Sequence, residues 1–303
     1  MNRIHSAAVV ALLVAACVPS TGDLGNVATP PPTDEPSIAL PSDEPTPGDS
    51  AGPIATPGSS GDPSGGTTTI RAYFFLGSFT DNAGLVPVLR EVPKTKAVGA
   101  AAMNALLAGP NDDELGARPA MYTDVPDGTR FLGLTIEAGR ATVNVSKEFG
   151  SGGSSASIRG RTAQVVYTLT QFPSITSVSF QLDGLSLLIF APGLTRDDYA
   201  DQLPRIFVDR PAWGGVLASP GRFTGTADVF EARFRLQILD GGGRTLADKP
   251  VNATCGSGCR GTFDVTVPYT VSTAGWGTLR VFEPSARDGS PTSVTEYPVW
   301  LTP

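Results

Sequence analysis

Two cysteines with a short spacing are the first residues whose types suggest chemistry. Cys255 and Cys259 enclose Gly256-Ser257-Gly258, a turn-forming sequence. Such a turn can bring their Cα atoms within the roughly 4.4–6.8 Å that a disulfide requires, and so short a loop would contribute about 2 kcal/mol. Two cysteines without a histidine offer too few ligands for zinc. We predict a structural disulfide between Cys255 and Cys259, with free or redox-active thiols as the alternative.

Histidine is nearly absent from the chain. His5, close to the N-terminus, is the only one. The rest of the sequence therefore lacks the residue on which Ser-His-Asp catalysis, Cys-His catalysis and most zinc sites depend. A carboxylate-only glycosidase or a Ser-Lys arrangement is not excluded by this absence. We predict no catalytic residues, no cofactor and no metal site.

A third cysteine, Cys17, ends a segment with the layout of a secretory signal peptide. Arg3 supplies the charged start, and residues 7–16 form an apolar centre that is shorter than the about 20 residues of a membrane span. Val14-Ala15-Ala16-Cys17 resembles a bacterial lipobox. The resemblance implies that residues 1–16 are removed and that Cys17 is lipidated, which would anchor an exported protein to the outer face of the cell membrane. An ordinary signal peptide with an incidental cysteine is the alternative.

Residues 17–67 are predicted to form a disordered linker, or stalk. The segment is rich in Pro, Thr, Ser and Gly, and it carries seven acidic residues without any Lys, Arg or aromatic residue. It cannot bury enough apolar surface to offset the entropy of ordering it, and proline and like charges extend it. From residue 71 onward, 21 basic and 22 acidic residues nearly cancel. This folded part lacks the basic excess that nucleic-acid binding needs, so we predict no nucleic-acid partner.

Residues 68–204 are predicted to form an α+β domain with the element order β-α-β-β-α-β-β. The two helices, residues 94–108 and a second helix capped by Ser157 and stopped by Pro173, should cover one face of a sheet. Alternation at period two and turn residues predict the strands. These strands are Ile70–Leu76, Thr129–Ile136, Arg140–Val145, Ser177–Leu182 and Leu185–Phe190.

Residues 205–303 show no helical pattern and are predicted to form an all-β immunoglobulin-like sandwich. Short strands recur at regular spacing, separated by Gly, Pro and Asp turns. Trp213, Trp276 and Trp300 are interpreted as core or edge residues rather than as a ligand platform. The predicted strands are Ile206–Val208, Gly225–Ala227, Phe230–Leu239, Thr245–Ala253, Thr262–Val271, Gly277–Glu283 and Val294–Leu301.

Both segments resemble known bacterial modules. Lys96–Pro110, and Gln164–Val178 followed by Asp183-Gly184, resemble the helices and final strand of the GerMN domain of the sporulation and spore germination family. The C-terminal segment resembles the immunoglobulin-like domain of bacterial spore germination proteins, which often follows GerMN. The resemblance implies interaction modules on an envelope protein and brings no catalytic residue with it. The C-terminal pieces that match are Ser219-Pro220, Gly225–Ala227, Phe230–Ala232, Gly261–Phe263 and Gly277–Glu283.

The remaining polar clusters have ordinary structural interpretations. Residues 150–155, before the second helix, lack the Lys-Ser/Thr end of a phosphate loop and are interpreted as a flexible loop with a capping serine. Arg159 and Arg161 are interpreted as solvated. The acidic groups Asp112-Asp113-Glu114 and Asp197-Asp198 with Asp201 lack calcium-loop spacing and suit the first turns of helices.

The features taken together predict a non-enzymatic, lipid-anchored envelope protein. It would present two modules on a stalk and bind cell-wall glycan, peptidoglycan in particular, or another envelope protein, with a sporulation or germination role implied only by the resemblance. One alternative is a carboxylate-based glycan-acting enzyme, which needs two facing carboxylates in a cleft. Another is an accessory lipoprotein that regulates a membrane sensor or transporter.

Overall fold

The computed structural model describes residues 66–77, 84–186 and 190–303. The predicted signal peptide, Cys17 and nearly all of the predicted linker lie outside these residues. Within the described ranges, no helix is long and apolar enough to cross a membrane.

The described N-terminal part contains two three-stranded sheets and three α-helices. In the first sheet, β1 (Thr67–Leu76) pairs antiparallel with β2 (Gly84–Pro93) and with β3 (Met121–Tyr122). In the second, β5 (Arg140–Val145) pairs antiparallel with β4 (Phe131–Glu137) and parallel with β6 (Ser177–Leu182). The helices are α1 (Val98–Leu107), the short α2 (Asp112–Leu115) and α3 (Ser155–Leu169).

Packing of α1 and α3 against the strands confirms the predicted α+β class. The two helices contact each other and both contact β1, while α1 also touches β4 and α3 touches β6. Their buried faces carry Met103 and Leu106 on α1 and Val166 and Leu169 on α3. The strands form two sheets around these helices, where the sequence had indicated one.

The helix ends differ from their predicted positions. Ser154, and not Ser157, caps α3, because the Ser154 hydroxyl accepts a hydrogen bond from the Ser157 backbone N–H at 3.3 Å. The helix α1 begins at Val98, four residues later than predicted. It ends where expected, because Gly109 adopts a positive φ of 79° and donates its N–H to the carbonyl of Leu106.

The strand β2 was missed because prolines interrupt its pattern. Pro87 lies within the strand and Pro93 ends it. Proline is tolerated in this position because β2 forms the edge of its sheet, where β1 is the strand that pairs with it. The predicted turn at Asp183-Gly184 is present, with paired hydrogen bonds between Leu182 and Leu185, but residues 187–189 of the predicted final strand lie outside the described residues.

The C-terminal part is a β-sandwich, as predicted. One sheet has five strands in the order β11-β10-β13-β14-β8, and the facing sheet has three in the order β12-β9-β7. The short β8, missed in the sequence, pairs parallel with β14. The strands are β7 (Ile206–Arg210), β8 (Val216–Ala218), β9 (Gly221–Ala227), β10 (Arg233–Asp240), β11 (Thr245–Asn252), β12 (Gly261–Val267), β13 (Gly275–Pro284) and β14 (Pro291–Thr302).

A continuous apolar core runs through both parts of the described chain. Alternate residues of β13 and β14, such as Leu279 and Val299, are fully buried and face Phe223 and Phe263 of the smaller sheet. The same buried cluster continues through Phe207 of β7 into the helices and β1. The predicted limits at residues 204 and 205 remain predictions, since the core itself does not divide there.

Candidate functional site

A disulfide joins Cys255 and Cys259 in the described loop, with their Cα atoms 5.8 Å apart. This spacing lies in the range that a disulfide requires. The loop closes against the sandwich, because the Ser257 N–H donates to the carbonyl of Val229 at 3.0 Å. The two cysteines therefore have a Cα spacing that suits a structural disulfide. Their oxidation in the exported protein remains a prediction, as does the lipidation of Cys17.

The loop before α3 holds an arginine rather than an anion. Arg161 is buried, and its Nη1 donates to the carbonyls of Phe149 and Ser151 at 2.7 and 2.9 Å, while Nη2 donates to the carbonyl of Gly152 at 3.1 Å. Burial lowers the pKa of this guanidinium. The interpretation of Arg161 as solvated was wrong, because its position on the first turns of α3 aims it at the loop carbonyls.

The first acidic group is part of the scaffold. Glu114 is 2% exposed and forms a two-pronged ion pair with Arg90, with both N–O distances at 2.6 Å. It also completes a capping box with Asn111 at the start of α2. A carboxylate held this way is a structural partner for Arg90 and not an available ligand.

The second acidic group is also held in local contacts. Asp198 accepts hydrogen bonds from the N–H and hydroxyl of Thr195 at 2.8 and 2.9 Å, which lower the pKa of its carboxyl. Asp201 pairs with Arg159, which lies over the Tyr199 ring at 4.9 Å. Among the described residues, no group of three or more His, Cys, Asp and Glu side chains is arranged to hold a metal ion.

The outer face of the five-stranded sheet carries a solvent-exposed indole. Trp276 is 56% exposed and packs perpendicular to Trp300, which lies directly opposite on β14, with ring centroids 5.3 Å apart. Val216 on β8 pairs with Trp300 and is 68% exposed. The interpretation of Trp276 as a core or edge residue was wrong, since β13 is an inner strand and its side chain lies on the solvent face.

A cleft of about 400 Å³ lies beside Trp276. Across its floor, Arg280 on β13 donates to Glu296 on β14 at 2.6 Å. At its rim, Asp240 pairs with Arg244 at 3.0 Å and accepts the backbone N–H of Arg244, and these contacts lower the pKa of the Asp240 carboxyl. The lining consists of Leu239, Asp240, Gly241, Gly243, Trp276, Gly277, Thr278, Arg280, Glu296 and Pro298.

Comparisons with known proteins identify the two parts of the chain. Residues 71–188 match the Germane family model, described as sporulation and spore germination, and residues 205–290 match Gmad2, described as an immunoglobulin-like domain of bacterial spore germination. The chain carries a Germane domain followed by a Gmad2 domain. The domain resemblances seen in the sequence are thereby confirmed.

The solved structures similar to this chain include two of a sporulation protein. The first GerMN domain of GerM from Bacillus subtilis is 22% identical, with 44% of this chain and 100% of that chain covered and a TM-score of 0.36. The tandem GerMN domains of the same protein are 15% identical, with 68% and 63% covered and a TM-score of 0.36. A search of curated proteins found no match. Sequence identities and TM-scores this low assign no function to the chain.

A cluster around Arg196 joins the Germane and Gmad2 domains, and the residue itself lies between the two matched ranges. Its guanidinium lies 4.7 Å from the ring centre of Tyr167 and 5.5 Å from that of Tyr73. It donates to the Thr170 hydroxyl at 2.9 Å, to the carbonyl of Tyr167 at 3.1 Å and to the Tyr73 hydroxyl at 3.2 Å. On the Gmad2 side, it lies 3.8 Å from Asp209.

The Tyr73 hydroxyl completes this joint. It donates to Asp209 Oδ1 at 2.7 Å, so one buried Germane side chain is bonded directly to the Gmad2 domain. Burial raises the pKa of Tyr73 well above its usual value and that of Tyr167 to about 12, which keeps both hydroxyls protonated. We define the joint as Tyr73, Tyr167, Thr170, Arg196 and Asp209.

Backbone contacts extend the joint to both sides. Trp213 of the Gmad2 domain donates its N–H to the carbonyl of Pro87 in β2 at 2.9 Å. Arg260 reaches back to the carbonyl of Pro204 at 3.1 Å. A Cβ on Gly84 would lie 2.2 Å from the backbone nitrogen of Pro204, so only glycine permits this approach of β2.

Sequence reasoning missed both the joint and the cleft beside Trp276. The joint gave no local signal, because Tyr73 and Asp209 are 136 residues apart. The cleft did give one. Trp276, Thr278 and Arg280 alternate along β13, and Glu296, Pro298 and Trp300 alternate along β14, which places all six on one face of the sheet.

Proposed function

We propose that this chain is a non-catalytic, lipid-anchored envelope protein whose Germane and Gmad2 domains form one binding body. Cys17 would carry the lipid, and the linker would hold the body away from the outer face of the membrane. Its partner would be cell-wall glycan or another envelope protein. The observation that carries the proposal is the joint, with its paired polar groups and continuous core.

The joint favours binding over catalysis because it fills the place where a catalytic crevice often lies. Ligand pockets occur preferentially at domain interfaces. Here the interface holds Tyr73, Arg196 and Asp209 bonded to one another. Two domains fixed in this way present a single surface of constant shape, which suits recognition of an extended partner.

A cavity of about 330 Å³ does border the interface, but its lining does not suit hydrolysis. Its described residues are mostly apolar, with Glu296 the ionisable one, and that carboxylate is bonded to Arg280. A carboxylate-based glycosidase needs two facing carboxyl groups, one of them with a raised pKa. The lining in the described part of the chain is Leu76, Gly84, Val86, Pro119, Pro204, Val294, Thr295 and Glu296.

A raised carboxyl pKa does occur at Asp124, away from that cavity. Burial raises it, and the nearby positive charge of Arg161 acts in the opposite direction. The Asp124 carboxylate is tucked against α3, where a Cβ on Gly160 would lie within 2 Å of its Oδ2. The groups that shift its pKa include no second carboxylate, so it supplies only half of the required arrangement.

The proposal is tested with the full-length protein purified in detergent. We expect saturable pelleting with isolated peptidoglycan sacculi, without release of soluble glycan fragments. Crosslinking to a membrane protein without such pelleting would favour the accessory role. Glycan release that is lost on substitution of one carboxylate would show that the protein is an enzyme and would refute the proposal.

The anchor is tested separately by the Cys17→Ser variant in cells. We expect this variant to accumulate as a soluble or unprocessed species, because the lipid could no longer be attached. A mature-sized Cys17→Ser protein that still fractionates with membranes would contradict the anchor.

A further inference from the structure

The cleft beside Trp276 has features that the joint and the proposed envelope role leave unexplained. Trp276 is the most exposed of the aromatic side chains along the five-stranded sheet, and its perpendicular packing on Trp300 holds it in place. Contiguous apolar surface left in water marks binding sites, whereas singly scattered apolar residues do not. Trp276 forms such a surface with Trp300 and Val216 on the neighbouring strands. An indole combines a broad apolar surface with one N–H donor, so it suits ligands that have both apolar and polar faces.

The polar side chains that line the cleft lie next to the indole on two paired strands. Arg280 and Glu296 are held by their mutual hydrogen bond and by the register of two paired strands. Their hydrogen bond joins Arg280 Nε to Glu296 Oε1. The Nη donors of Arg280 and Oε2 of Glu296 can therefore bond to other partners, including solvent. Thr278 adds a hydroxyl between the indole and the ion pair.

The charge of the cleft favours neither an anionic nor a cationic ligand. Arg280 of the lining is bonded to Glu296, and Arg244, which stands beside the rim, is bonded to Asp240. A polyanion would meet two carboxylates and a polycation two guanidiniums, so a charged ligand of either sign would face like charges beside its counter-charges. A neutral ligand with many hydroxyl groups meets donors and acceptors without that cost.

The size of the site fits a ligand of several units. The cleft of about 400 Å³ lies within the usual range for small-molecule sites. Trp276 also borders a second cleft of about 350 Å³, formed by residues 270–275 with Asp240 and Arg244. The indole therefore stands between two concave surfaces, and a chain-like ligand can cross it.

We propose that the two clefts around Trp276 form a binding site for an uncharged pyranose oligosaccharide. One sugar ring lies against the Trp276 indole through its apolar C–H face, and its hydroxyls bond to Arg280, Glu296 and Thr278. A neighbouring sugar occupies the second cleft. This inference rests on the proposed envelope-binding role and names the ligand class for it.

The test measures binding of tetra-N-acetylchitotetraose and cellotetraose to the full-length protein in detergent by calorimetry. We expect binding of at least one of them. The Trp276→Ala variant should bind at least about tenfold more weakly, as is typical for an anchoring tryptophan. Trp276→Phe should retain part of the affinity and guards against misfolding as the cause. Phe230→Ala is the matched control, because Phe230 is a similarly exposed aromatic residue that lines neither cleft.

Salt and chain length provide further readouts. A neutral ligand releases few counterions, so its affinity should change by less than about twofold between low and high salt. The tetrasaccharides should bind more tightly than the corresponding disaccharides, because only the longer chains reach both clefts. A steep loss of affinity with salt would overturn the assignment of an uncharged ligand.

The outcomes separate this inference from the proposed function. Binding of neither oligosaccharide, or equal binding by Trp276→Ala, overturns the saccharide site. If sacculi still pellet with the protein in that case, the envelope role stands without it. Oligosaccharide binding without sacculus pelleting supports the saccharide site and contradicts a wall-binding role. Capture of a protein partner that depends on Trp276, with no oligosaccharide binding, assigns this face to protein recognition and also overturns the inference.

Discussion

The joint and the cleft beside Trp276 each combine a charged pair with aromatic side chains, and the aromatic side chains differ in exposure. The joint combines Arg196 and Asp209 with two tyrosines. The cleft combines the pair Arg280–Glu296 with Trp276, which packs on Trp300. The tyrosines of the joint are buried, whereas Trp276 is 56% exposed. The charged pairs differ less, because Arg196 and Asp209 are 30% and 23% exposed and Arg280 and Glu296 are 36% and 44% exposed.

This difference in exposure determines what each set can do. Buried polar groups must satisfy one another, so the joint is specific for one arrangement of the two domains and leaves little to offer a ligand. Exposed groups readily exchange one hydrogen-bond partner for another. A ligand can therefore displace water from the cleft at little cost to the stability of the fold. The comparison predicts that substitutions in the joint change stability and that substitutions in the cleft change binding.

The largest stability loss should come from Arg196→Ala. The substitution removes three hydrogen bonds and two cation–π contacts, and it leaves Asp209 with a missing cation. We expect the free energy of unfolding in urea to fall by about 3 kcal/mol. The control is Arg222→Ala, which removes an ion pair with Asp264 in which the arginine is 70% exposed.

Arg222→Ala should cost much less than Arg196→Ala, because exposed pairs contribute little. Equal losses for Arg196→Ala and Arg222→Ala would mean that the joint is no more than a surface contact. That result would contradict the structural role given to the joint.

Alkaline pH should weaken the joint through Tyr73. Burial raises its pKa above the usual value near 10, so the folded protein holds this proton more tightly than the unfolded chain does. The associated stability is fully present below about pH 10 and falls as pH rises further, by about 1.4 kcal/mol per pH unit for this one group. Other buried tyrosines, such as Tyr297 and Tyr167, add to the same trend.

The Tyr73→Phe variant isolates this contribution. At pH 7 it should be less stable by about 1 kcal/mol, because Asp209 loses its hydrogen bond. Above pH 10 its stability should decline less steeply than that of the wild type. Identical slopes for both proteins in urea titrations from pH 9 to 11 would show that Tyr73 titrates normally and is not enclosed by the joint.

The sequence revealed the features that depend on local patterns and concealed those that depend on tertiary contacts. The α+β class, the sandwich, the strands β5 and β6 and the stop of α1 at Gly109 depend on local patterns, and the sequence predicted them. The strand β2 was hidden by Pro87, whose effect depends on the strand being at an edge. The burial of Arg161 was hidden because a helix position alone does not show which loop folds over it.

The sequence did contain a signal for the face of the sheet on which the cleft lies. The alternation of Trp276, Thr278 and Arg280 was sufficient to place them on one face once β13 had been predicted. Two facts were missing. One was the pairing of β13 with β14, which brings Glu296 to Arg280, and the other was the inner position of β13 in the sheet. The joint could not have been predicted, because its members come from four separate segments.

On the side of the cleft, Trp276→Ala should have a small effect on stability. A fully buried tryptophan costs about 3–5 kcal/mol when it is truncated to alanine. Trp276 has its main aromatic contact with Trp300 and is otherwise largely in water, so we expect a loss of about 1 kcal/mol in urea unfolding. A loss close to that of Arg196→Ala would show that the indole is a packing residue, and it would remove the basis for a binding role.

The smallest effect should come from Arg280→Ala, which is the counterpart of Arg196→Ala in the cleft. Arg280 contacts Glu296 alone in the described ion pairs, and both side chains are partly exposed. Water can replace each partner, so we expect a change within about 0.5 kcal/mol that shrinks further in high salt. The measurement is the same urea titration at low and high salt. If Arg280→Ala proved as costly as Arg196→Ala, exposure would not distinguish the two clusters, and the outer face of the sheet would be a second structural brace.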